Sequence, residues 1–402
     1  MKVLIADKFE SSGIQELESL GCTVASDPDL GPDTLPAAMK EHNPDILIVR
    51  STKVPEPVFE AAGALALVIR AGAGYDTIDV AAASQRAISV ANCPGKNSVA
   101  VAELAWGLII ALDRKIAQQT MDLRHGAWDK KGYAKAKGLK GRTLGIIGTG
   151  MIGQEVIKRA HAFDMPVVAW SRSLTDETAS ALGVTRAASP MDVAKRADIV
   201  SLHVAATPET KGMANAEFFA AMKNGAVLIN TTRGSLVDEA AMIKAMDEKG
   251  IVAGLDVYNN EPAASDKSFD SALAKHPNVV GTHHVGASTD QAQQAIAGEA
   301  VRIVRVFADT GEIPNVVNRK AASDAKRLLV VRHENHPGVL AHVIGRISEA
   351  KVNIEEMENV IFQGNKGACA KIRLSDSLSQ EVMSAIEDGS AGVLSVELTE
   401  IG

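Results

Sequence analysis

The sequence predicts an α/β protein with two doubly wound parallel sheets and a small C-terminal domain of a different kind. Over the first 95 residues, and again after about residue 141, short apolar runs alternate with helical patterns. This alternation indicates parallel sheets covered by helices. A glycine-rich turn joins a strand to a helix at the start of the second region. From residue 327 onward the order of elements becomes βαββαβ, which is the ferredoxin-like pattern.

The first region is predicted to form one parallel sheet with its helices. Apolar runs predict strands at 3–6, 46–49, 65–69 and 88–91, and helices are predicted at 14–20, 57–62 and 79–86. A longer helix over 99–123 follows, and it is apolar on most of its sides (VAVAELAWGLIIAL). Because such a helix must be buried, we expect it to lie between domains or against a second subunit.

The glycine-rich turn is the strongest local signal in the chain. Residues 143–147 form an apolar run that leads into Gly148-Thr149-Gly150-Met151-Ile152-Gly153. In such a G-x-G-x-x-G turn the first glycine permits the tight bend, the second admits a pyrophosphate, and the third lets the helix pack on the strand. The N–H groups and the dipole at the helix start favour an anion. The unit therefore predicts a Rossmann-like dinucleotide-binding domain.

The second sheet is predicted to have six or seven strands. The later strands are predicted at 167–170, 199–202, 227–230, 252–256 and 279–281, with a helix at 239–249. The long helix over 290–309 is expected to return to the first sheet. The predicted domains are a substrate-binding domain at 1–97 and 289–314, a dinucleotide-binding domain at 98–288, a linker at 315–326, and a regulatory domain at 327–402.

Composition limits the classes of function. The 402 residues carry a net charge of −7, and the pI is near 5.9, which argues against a nucleic-acid-binding surface. Three widely spaced cysteines suggest neither a disulfide framework nor a metal site. No apolar run is long enough for a membrane span, and the start lacks the core of a signal peptide. We therefore expect a cytoplasmic protein that acts on small molecules.

Three segments follow predicted strands of the second sheet, at the edge where α/β folds keep their sites. They are 230–234, 256–262 and 283–288, and they bring Arg233, Glu261 and a histidine to one edge. Hydride transfer to a 2-keto acid needs a guanidinium that binds the carboxylate and polarises the carbonyl. It also needs a general acid that protonates the new alkoxide, and a histidine held by a carboxylate suits this task.

These segments resemble the D-isomer-specific 2-hydroxyacid dehydrogenases, and the resemblance covers nearly the whole chain. It implies that Arg233, in TTRG, binds the substrate carboxylate and that Glu261, in NEP, is the partner acid. His284, in HVGAS, matches the proton donor, whereas His283 does not. The activity implied is oxidation of D-3-phosphoglycerate to 3-phosphohydroxypyruvate with a nicotinamide dinucleotide, the first step of L-serine biosynthesis.

Two segments at the ends of first-sheet strands resemble the part of this family that binds a phosphorylated acid. They are Arg50-Ser51-Thr52-Lys53 and Arg70-Ala71-Gly72-Ala73-Gly74. The resemblance implies that the backbone N–H groups of Ala73 and Gly74 bind the substrate carboxylate. It implies that the first segment and Arg70 hold the phosphate, with positive charge from Arg50, Lys53 and Arg70.

The cofactor is predicted to be NAD or NADP. The family usually has an aspartate 18 residues after the last glycine of the turn, where it binds the ribose hydroxyls; here that residue is Ser171, followed by Arg172. A serine–arginine pair can bind a 2′-phosphate, which an aspartate repels. The resemblance implies that Asp256 contacts the nicotinamide amide and that Pro208 shapes the adenine side. The remaining predicted cofactor contacts are Gly148, Gly150, Met151, Ile152, Thr231, Thr232, Arg233, His284 and Gly286.

The C-terminal unit resembles an ACT domain. The stretch HENHPGVL at 333–340 follows the effector motif of serine-regulated relatives, and Asn353 opens the next strand. The resemblance implies that His333, Asn335 and Asn353 bind L-serine across a pair of such domains; the alternative is a domain that only dimerises. Together with the long helix over 99–123, which resembles the dimer helix of the family, it predicts a homodimer or a homotetramer.

Two other functions stay open at this point. The first is a glyoxylate or hydroxypyruvate reductase on the same scaffold, which the Ser171-Arg172 pair favours because NADPH suits reduction. The second is a dinucleotide-sensing interaction protein, although no partner-binding surface is visible in the sequence.

Overall fold

The structure is a computed structural model that describes residues 1–262, 266, 268–320, 323–387 and 391–401. The chain divides into two compact units, Met1–Asn318 and Arg319–Gly402. Within the described residues, none of the helices has the length and apolar character that crossing a membrane would require.

The first unit begins with a five-stranded parallel sheet in the order β2-β1-β3-β4-β5. Its elements are β1 (Lys2–Ile5), α1 (Ser11–Ser19), β2 (Thr23–Ser26), α2 (Leu35–His42), β3 (Ile46–Val49), α3 (Glu56–Glu60), β4 (Leu67–Arg70), α4 (Val80–Gln85) and β5 (Ser89–Asn92). The four residues of β3 are apolar and buried, as expected of a strand covered on both faces. The sequence pattern missed β2, because this edge strand is short and largely accessible.

A second parallel sheet of seven strands follows in the order β12-β11-β10-β9-β6-β7-β8. The elements of this region are α5 (Ser98–Arg114), α6 (Ile116–Arg124), α7 (Lys130–Tyr133), β6 (Leu144–Ile147), α8 (Met151–Ala162), β7 (Val167–Trp170), α9 (Asp176–Ala181), β8 (Thr185–Arg186), α10 (Pro190–Arg196), β9 (Ile199–Leu202), α11 (Ala216–Ala221), β10 (Val227–Asn230), α12 (Glu239–Lys249), β11 (Val252–Leu255) and β12 (Val279–Gly281). The two parallel sheets confirm the predicted α/β class.

The long helix expected over 99–123 is two helices in the structure. Lys115 adopts a left-handed backbone conformation with φ of 50° and separates α5 from α6. Helix α5 is buried along much of its length and packs on α8, where Trp106 stacks on Phe163 at 4.6 Å between ring centroids. No residue of α6 is buried. The apolar character that predicted burial therefore belongs to α5.

The chain returns to the first sheet through α13 (Asp290–Thr310), which packs against α1. The residues after it stay with that sheet, because Asn92 donates its N–H to the carbonyl of Asn315 at 3.3 Å and Val317 donates to the carbonyl of Val90 at 2.8 Å. Residues 315–318 thus belong to the first unit, whereas the sequence places the linker from 315. Residues 321–322 of that linker lie outside the described residues.

Glu299 of α13 is the buried centre of a polar network beside the segment that joins the two sheets. Its carboxylate accepts hydrogen bonds from Arg302 at 2.7 Å and Asn315 at 2.8 Å, and the ammonium of Lys96 lies 3.3 Å away. The bond from Arg302 is the main cause that lowers the pKa of Glu299 to about 2, and it outweighs the opposing effect of burial. Glu299 thus ties α13 to the start of the connection into α5.

Glu299→Gln is expected to destabilise the first unit at neutral pH. A carboxyl whose pKa falls from 4.5 to about 2 on folding contributes up to about 3 kcal/mol. This contribution is present above the unfolded pKa and is lost as the pH falls towards about 2, so the wild-type and variant thermal midpoints should converge between about pH 5 and pH 2. Glu16→Gln removes an exposed partner of Arg305 and should change the midpoint little. A constant difference between the wild-type and Glu299→Gln midpoints across this pH range would exclude a contribution from the Glu299 charge.

The second unit has one antiparallel sheet in the order β14-β15-β13-β16. Its elements are β13 (Arg327–Glu334), α14 (Val339–Glu349), β14 (Ile354–Ile361), β15 (Gly367–Leu374), α15 (Gln380–Ile386) and β16 (Val393–Glu400). The order βαββαβ confirms the predicted ferredoxin-like fold. Residues 388–390 and 402 of the range predicted for this domain lie outside the described residues.

Candidate active site

The glycine-rich turn lies between β6 and α8 and fits a bound dinucleotide. A Cβ atom on Gly148 would lie 2.3 Å from the carbonyl oxygen of His203, and one on Gly153 would lie 2.1 Å from the carbonyl oxygen of Gly148. Both positions therefore require glycine for close packing. A Cβ on Gly150 would meet nothing within 4 Å, so the open side of the turn lies at the start of α8, where N–H groups favour a diphosphate.

The other predicted cofactor residues lie around this turn in the chain. Met151 and Ile152 begin α8, and Ser171 and Arg172 directly follow β7. Arg172 is exposed and lies within electrostatic range of Glu209, whose pKa is lowered mainly by its hydrogen bond with Thr207 and further by the Arg172 charge. Pro208 lies in the same loop as Glu209. The guanidinium of Arg172 is therefore accessible for a 2′-phosphate.

The turn after β10 is built by Asn230, which the sequence reasoning missed as a site residue. Its buried side chain accepts hydrogen bonds from the N–H of Thr232 at 3.0 Å and the hydroxyl of Thr232 at 2.7 Å, and donates to the carbonyl of Arg233 at 2.8 Å. The hydroxyl of Thr231 is buried without a partner among the described residues. This unpartnered hydroxyl lies at the sheet edge that carries the glycine-rich turn, so it is available to a bound cofactor.

Arg233 reaches across to the first sheet. Its Nε and Nη2 donate to the carboxylate of Asp76 at 3.2 Å and 2.8 Å, and its Nη1 donates to the carbonyl of Thr232 at 2.8 Å. The guanidinium lies directly over Gly74, because a Cβ there would be 2.2 Å from Nη2. Asp76 was not predicted as a site residue, since nothing near it in sequence indicates a partner 157 positions away.

His284 and Glu261 form a close pair. The Nδ1 of His284 lies 2.6 Å from Oε2 of Glu261, and Oε1 accepts the N–H of Tyr258 at 2.9 Å. Burial raises the pKa of Glu261, but the hydrogen bond from His284, the N–H of Tyr258 and the charge of Arg233 together bring it below its usual value. Glu261 is therefore ionised at neutral pH and accepts a hydrogen bond from the N–H of Nδ1, which leaves Nε2 of His284 for a reacting hydroxyl.

Asp256 holds the loop that carries His284. Its fully buried carboxylate accepts hydrogen bonds from the hydroxyl of Thr282 at 2.6 Å and from the N–H groups of Val285 at 2.9 Å and Gly286 at 2.8 Å. Its carbonyl accepts the N–H of His284 at 2.8 Å. His284 has a left-handed φ of 53°, a strained conformation that these four bonds maintain. A carboxylate can accept about four bonds, so one position stays open for the predicted contact with the nicotinamide amide.

The predicted anion-binding segments lie at the ends of β3 and β4. The side chain of Asp7, which the sequence reasoning missed, accepts the N–H groups of Arg50, Ser51 and Thr52 at 2.7–3.1 Å. Burial lowers the pKa of Arg50, and burial together with repulsion from Arg233 lowers the pKa of Arg70 to about 10. Both side chains stay charged at neutral pH.

The backbone N–H groups of Ala73 and Gly74 and the side chains of Ser51, Lys53 and Arg70 supply the other donors of the predicted anion-binding site. No described residue accepts a hydrogen bond from the N–H groups of Ala73 or Gly74. The side chains of Ser51 and Lys53 are exposed. The Nε of Arg70 is buried without a partner in the described part of the chain. These donors are free to bind an anionic substrate.

The three predicted effector residues occupy two ends of the second-unit sheet. His333 is buried, with Nδ1 2.8 Å from the carbonyl of Glu334 and Nε2 3.1 Å from Oδ1 of Asn359, so both ring nitrogens are occupied. Asn335 follows the end of β13. Asn353 precedes β14 at the opposite end of the sheet, roughly 30 Å away along the strands. One copy of the chain does not bring Asn335 and Asn353 together.

A doubly wound sheet with this glycine turn, beside an arginine and a histidine–glutamate pair, defines a dinucleotide-dependent dehydrogenase. The family model described as "D-isomer specific 2-hydroxyacid dehydrogenase, NAD binding domain" matches residues 106–286. The chain belongs to the D-isomer-specific 2-hydroxyacid dehydrogenase family, as the sequence predicted, and contains its NAD-binding domain.

Similar proteins include a D-3-phosphoglycerate dehydrogenase of Methanocaldococcus jannaschii, 36% identical over 95% of this chain and 68% of that protein. A D-3-phosphoglycerate dehydrogenase of Bacillus subtilis is 33% identical over 98% of this chain and 74% of that protein. Among solved structures, an NADPH-dependent glyoxylate/hydroxypyruvate reductase of Sinorhizobium meliloti, in complex with NADP and malonate, is 29% identical. It covers 80% of this chain and 99% of its own chain, with a TM-score of 0.68.

Proposed function

We propose that this protein oxidises D-3-phosphoglycerate to 3-phosphohydroxypyruvate with a nicotinamide dinucleotide, the first step of L-serine biosynthesis. The observation that carries the proposal is one group of three guanidinium side chains, Arg50, Arg70 and Arg233. The guanidinium of Arg70 lies over Gly72 and that of Arg233 over Gly74, and the charges of Arg233 and Arg50 both act on Arg70. A substrate with both a carboxylate and a phosphate matches this density of positive charge.

The two anionic groups of the substrate bind to different donors. Arg233 and the free N–H groups of Ala73 and Gly74 bind the carboxylate, since the guanidinium lies over Gly74. Arg50 and Arg70 bind the phosphate, and Lys53 and Ser51 add exposed donors at the same strand end. The substrate is thereby oriented with its 2-hydroxyl towards His284 of the second sheet.

Proton transfer is carried out by His284. Its Nε2 accepts the proton of the 2-hydroxyl, while Nδ1 remains bonded to Glu261, whose negative charge stabilises the imidazolium that forms. A bound nicotinamide supplies the acceptor for the hydride from C2 of the substrate. In the reverse direction the same Nε2 returns the proton to the alkoxide, and Arg233 polarises the carbonyl.

NAD and NADP are both accommodated at the end of β7. Ser171 and Arg172 carry no carboxylate that would repel a 2′-phosphate, and Arg172 is exposed. The NADP-bound reductase of Sinorhizobium meliloti has the same fold. This observation also favours the second candidate function, a reductase for glyoxylate or hydroxypyruvate, because NADPH suits reduction.

The second unit is a regulatory module that binds L-serine or a related amino acid between two copies. Asn335 and Asn353 lie at opposite ends of its sheet, so a site that contains both is formed by two chains. This arrangement accords with a homodimer or a homotetramer. Binding by His333 additionally requires its bond with Asn359 to open.

The test is kcat/KM for 3-phosphohydroxypyruvate, hydroxypyruvate and glyoxylate, each with NADH and NADPH, with and without L-serine. We expect a preference of about 100-fold or more for the phosphorylated acid, because an analogue without the phosphate leaves the half-buried cations Arg50 and Arg70 unpaired. Arg50→Met should remove most of that preference, whereas Arg86→Met, which breaks an ion pair with Glu56 between the end of α4 and α3, should not.

Three other outcomes are informative. Equal or better rates with the unphosphorylated acids would identify the reductase. Tight cofactor binding without turnover of any acid would indicate a dinucleotide-sensing interaction protein. Rates that do not respond to L-serine would leave the second unit as a dimerisation module.

A further inference from the structure

We propose that Asp76 is the positioning residue for Arg233, holding one edge of its guanidinium so that the remaining N–H groups face the substrate. The inference rests on the proposed function, in which Arg233 binds the substrate carboxylate. Asp76 follows β4 of the first sheet, and Arg233 follows β10 of the second sheet. The pair therefore joins the two sheets at the edge where the substrate binds.

The hydrogen bonds leave a defined set of donors. A guanidinium has five N–H groups in a fixed plane. The carboxylate of Asp76 accepts hydrogen bonds from the N–H of Nε and from one N–H of Nη2, and the carbonyl of Thr232 accepts one from Nη1. One N–H on Nη1 and one on Nη2 remain. Because the plane is rigid, a two-point bond on one edge determines where the remaining donors point.

The position of Asp76 in the chain adds a second constraint. Asp76 is two residues from Gly74, whose free N–H and that of Ala73 are assigned to the same carboxylate. A Cβ on Gly74 would lie 3.1 Å from Oδ1 of Asp76 and 2.2 Å from Nη2 of Arg233. Asp76 thus sets the distance between the side-chain donors of one sheet and the backbone donors of the other.

Charge explains why a carboxylate is needed here. Burial, together with repulsion from Arg233, lowers the pKa of Arg70, while the charge of Asp76 acts in the opposite direction. The bond to Arg233 is the main cause that keeps the pKa of Asp76 below its usual value. Glu261 does not replace it, since Arg233 donates to Asp76 and to the carbonyl of Thr232, and not to Glu261. Within the described residues, Asp76 is the carboxylate that binds Arg233.

The experiment is a double-mutant cycle with Asp76→Ala, Arg233→Ala and the double variant. The readout is kcat/KM for 3-phosphohydroxypyruvate, with cofactor Kd and thermal midpoint measured in parallel. Asp76→Ala should lower kcat/KM by about 10- to 100-fold, the usual cost of a misplaced binding group. In the Arg233→Ala background the same change should cost less than about twofold. Asp33→Ala, which removes an exposed charge from the same unit, should have no effect.

The cofactor Kd and the thermal midpoint should stay near wild-type values in Asp76→Ala, because the side chain is 59% exposed. Asp76→Asn, which keeps one acceptor, should give an intermediate kcat/KM. If Asp76→Ala lowered kcat/KM equally in the wild-type and the Arg233→Ala backgrounds, the inference would be overturned. A higher kcat/KM in Asp76→Ala would also overturn it, because Asp76 would then compete with the substrate for Arg233. If Arg233→Ala alone is harmless, the proposed function fails first and the inference fails with it.

Discussion

Replacing His284 with alanine is expected to lower kcat by about 10²- to 10⁴-fold, the range for loss of a general acid–base. The cofactor Kd should change little, because the glycine turn, Ser171 and Arg172 are untouched. The physical reason is the pair with Glu261 at 2.6 Å, which occupies Nδ1 and leaves Nε2 for the reacting hydroxyl. Steady-state kinetics and a cofactor titration by fluorescence measure the two effects separately.

The neighbouring histidine provides the matched control. His283 is exposed, and no described residue is bonded to its ring. His283→Ala should therefore keep kcat near wild type. Glu261→Gln should lie between the two variants, since the imidazole then loses the negative charge that stabilises its protonated form. A His284→Ala protein with near wild-type kcat would remove the assigned role.

Gly74→Ala is expected to lower kcat/KM by about 100-fold with little loss of stability. The new Cβ would lie 2.2 Å from Nη2 of Arg233 and 3.1 Å from Asp76. The first of these atoms is the far end of a flexible side chain, so the guanidinium moves and the fold is kept. The φ of Gly74 lies outside the left-handed region, and alanine therefore adds no backbone strain. A displaced binding group typically costs this much in rate.

Gly31→Ala is the control for this prediction. A Cβ at Gly31 would meet nothing within 4 Å, and its backbone conformation also suits alanine. Its kcat/KM and thermal midpoint should match those of the wild type. An unchanged kcat/KM in Gly74→Ala would show that the position of the guanidinium over this glycine has no part in substrate binding.

The parallel sheets were predictable because their signals are local. Each central strand is a short apolar run, and the glycine turn has its full pattern within six residues of the chain. The break between α5 and α6 was not predictable. Lys115 adopts a left-handed backbone conformation there, which lysine rarely does, so its presence in the sequence does not indicate a break.

The proposed catalytic residues were predictable only in part. Spacing placed Arg233, Glu261 and two adjacent histidines at one edge, but the choice of His284 came from the resemblance to a known family. In the structure, His284 is the one that binds Glu261. Asp7 and Asp76 were missed, since their partners are 43 to 45 and 157 residues away and no local pattern records such a bond.

Buried anchors were missed for a different reason. Asn230 was taken as part of a strand end, and Asp256 was assigned to the cofactor from resemblance alone. Each side chain is buried and holds the turn that carries an active-site residue. In a sequence, a polar residue at a strand end indicates only the start of a loop. The hydrogen bonds in the structure show that its side chain also holds that loop in place.

Asn230 and Asp256 fasten Arg233 and His284 to the second sheet, while Arg50 and Arg70 belong to the first. With the proposed roles of these residues, we expect substrate choice and proton transfer to be separable traits. Loops grafted at 50–53 and 70–74 can alter which acid is accepted without rebuilding the proton-transfer pair. Selection and engineering can therefore act on one sheet at a time. The exceptions are positions 74 and 76, where a graft has to keep a glycine and a carboxylate, because the position of Arg233 in the unaltered half depends on both.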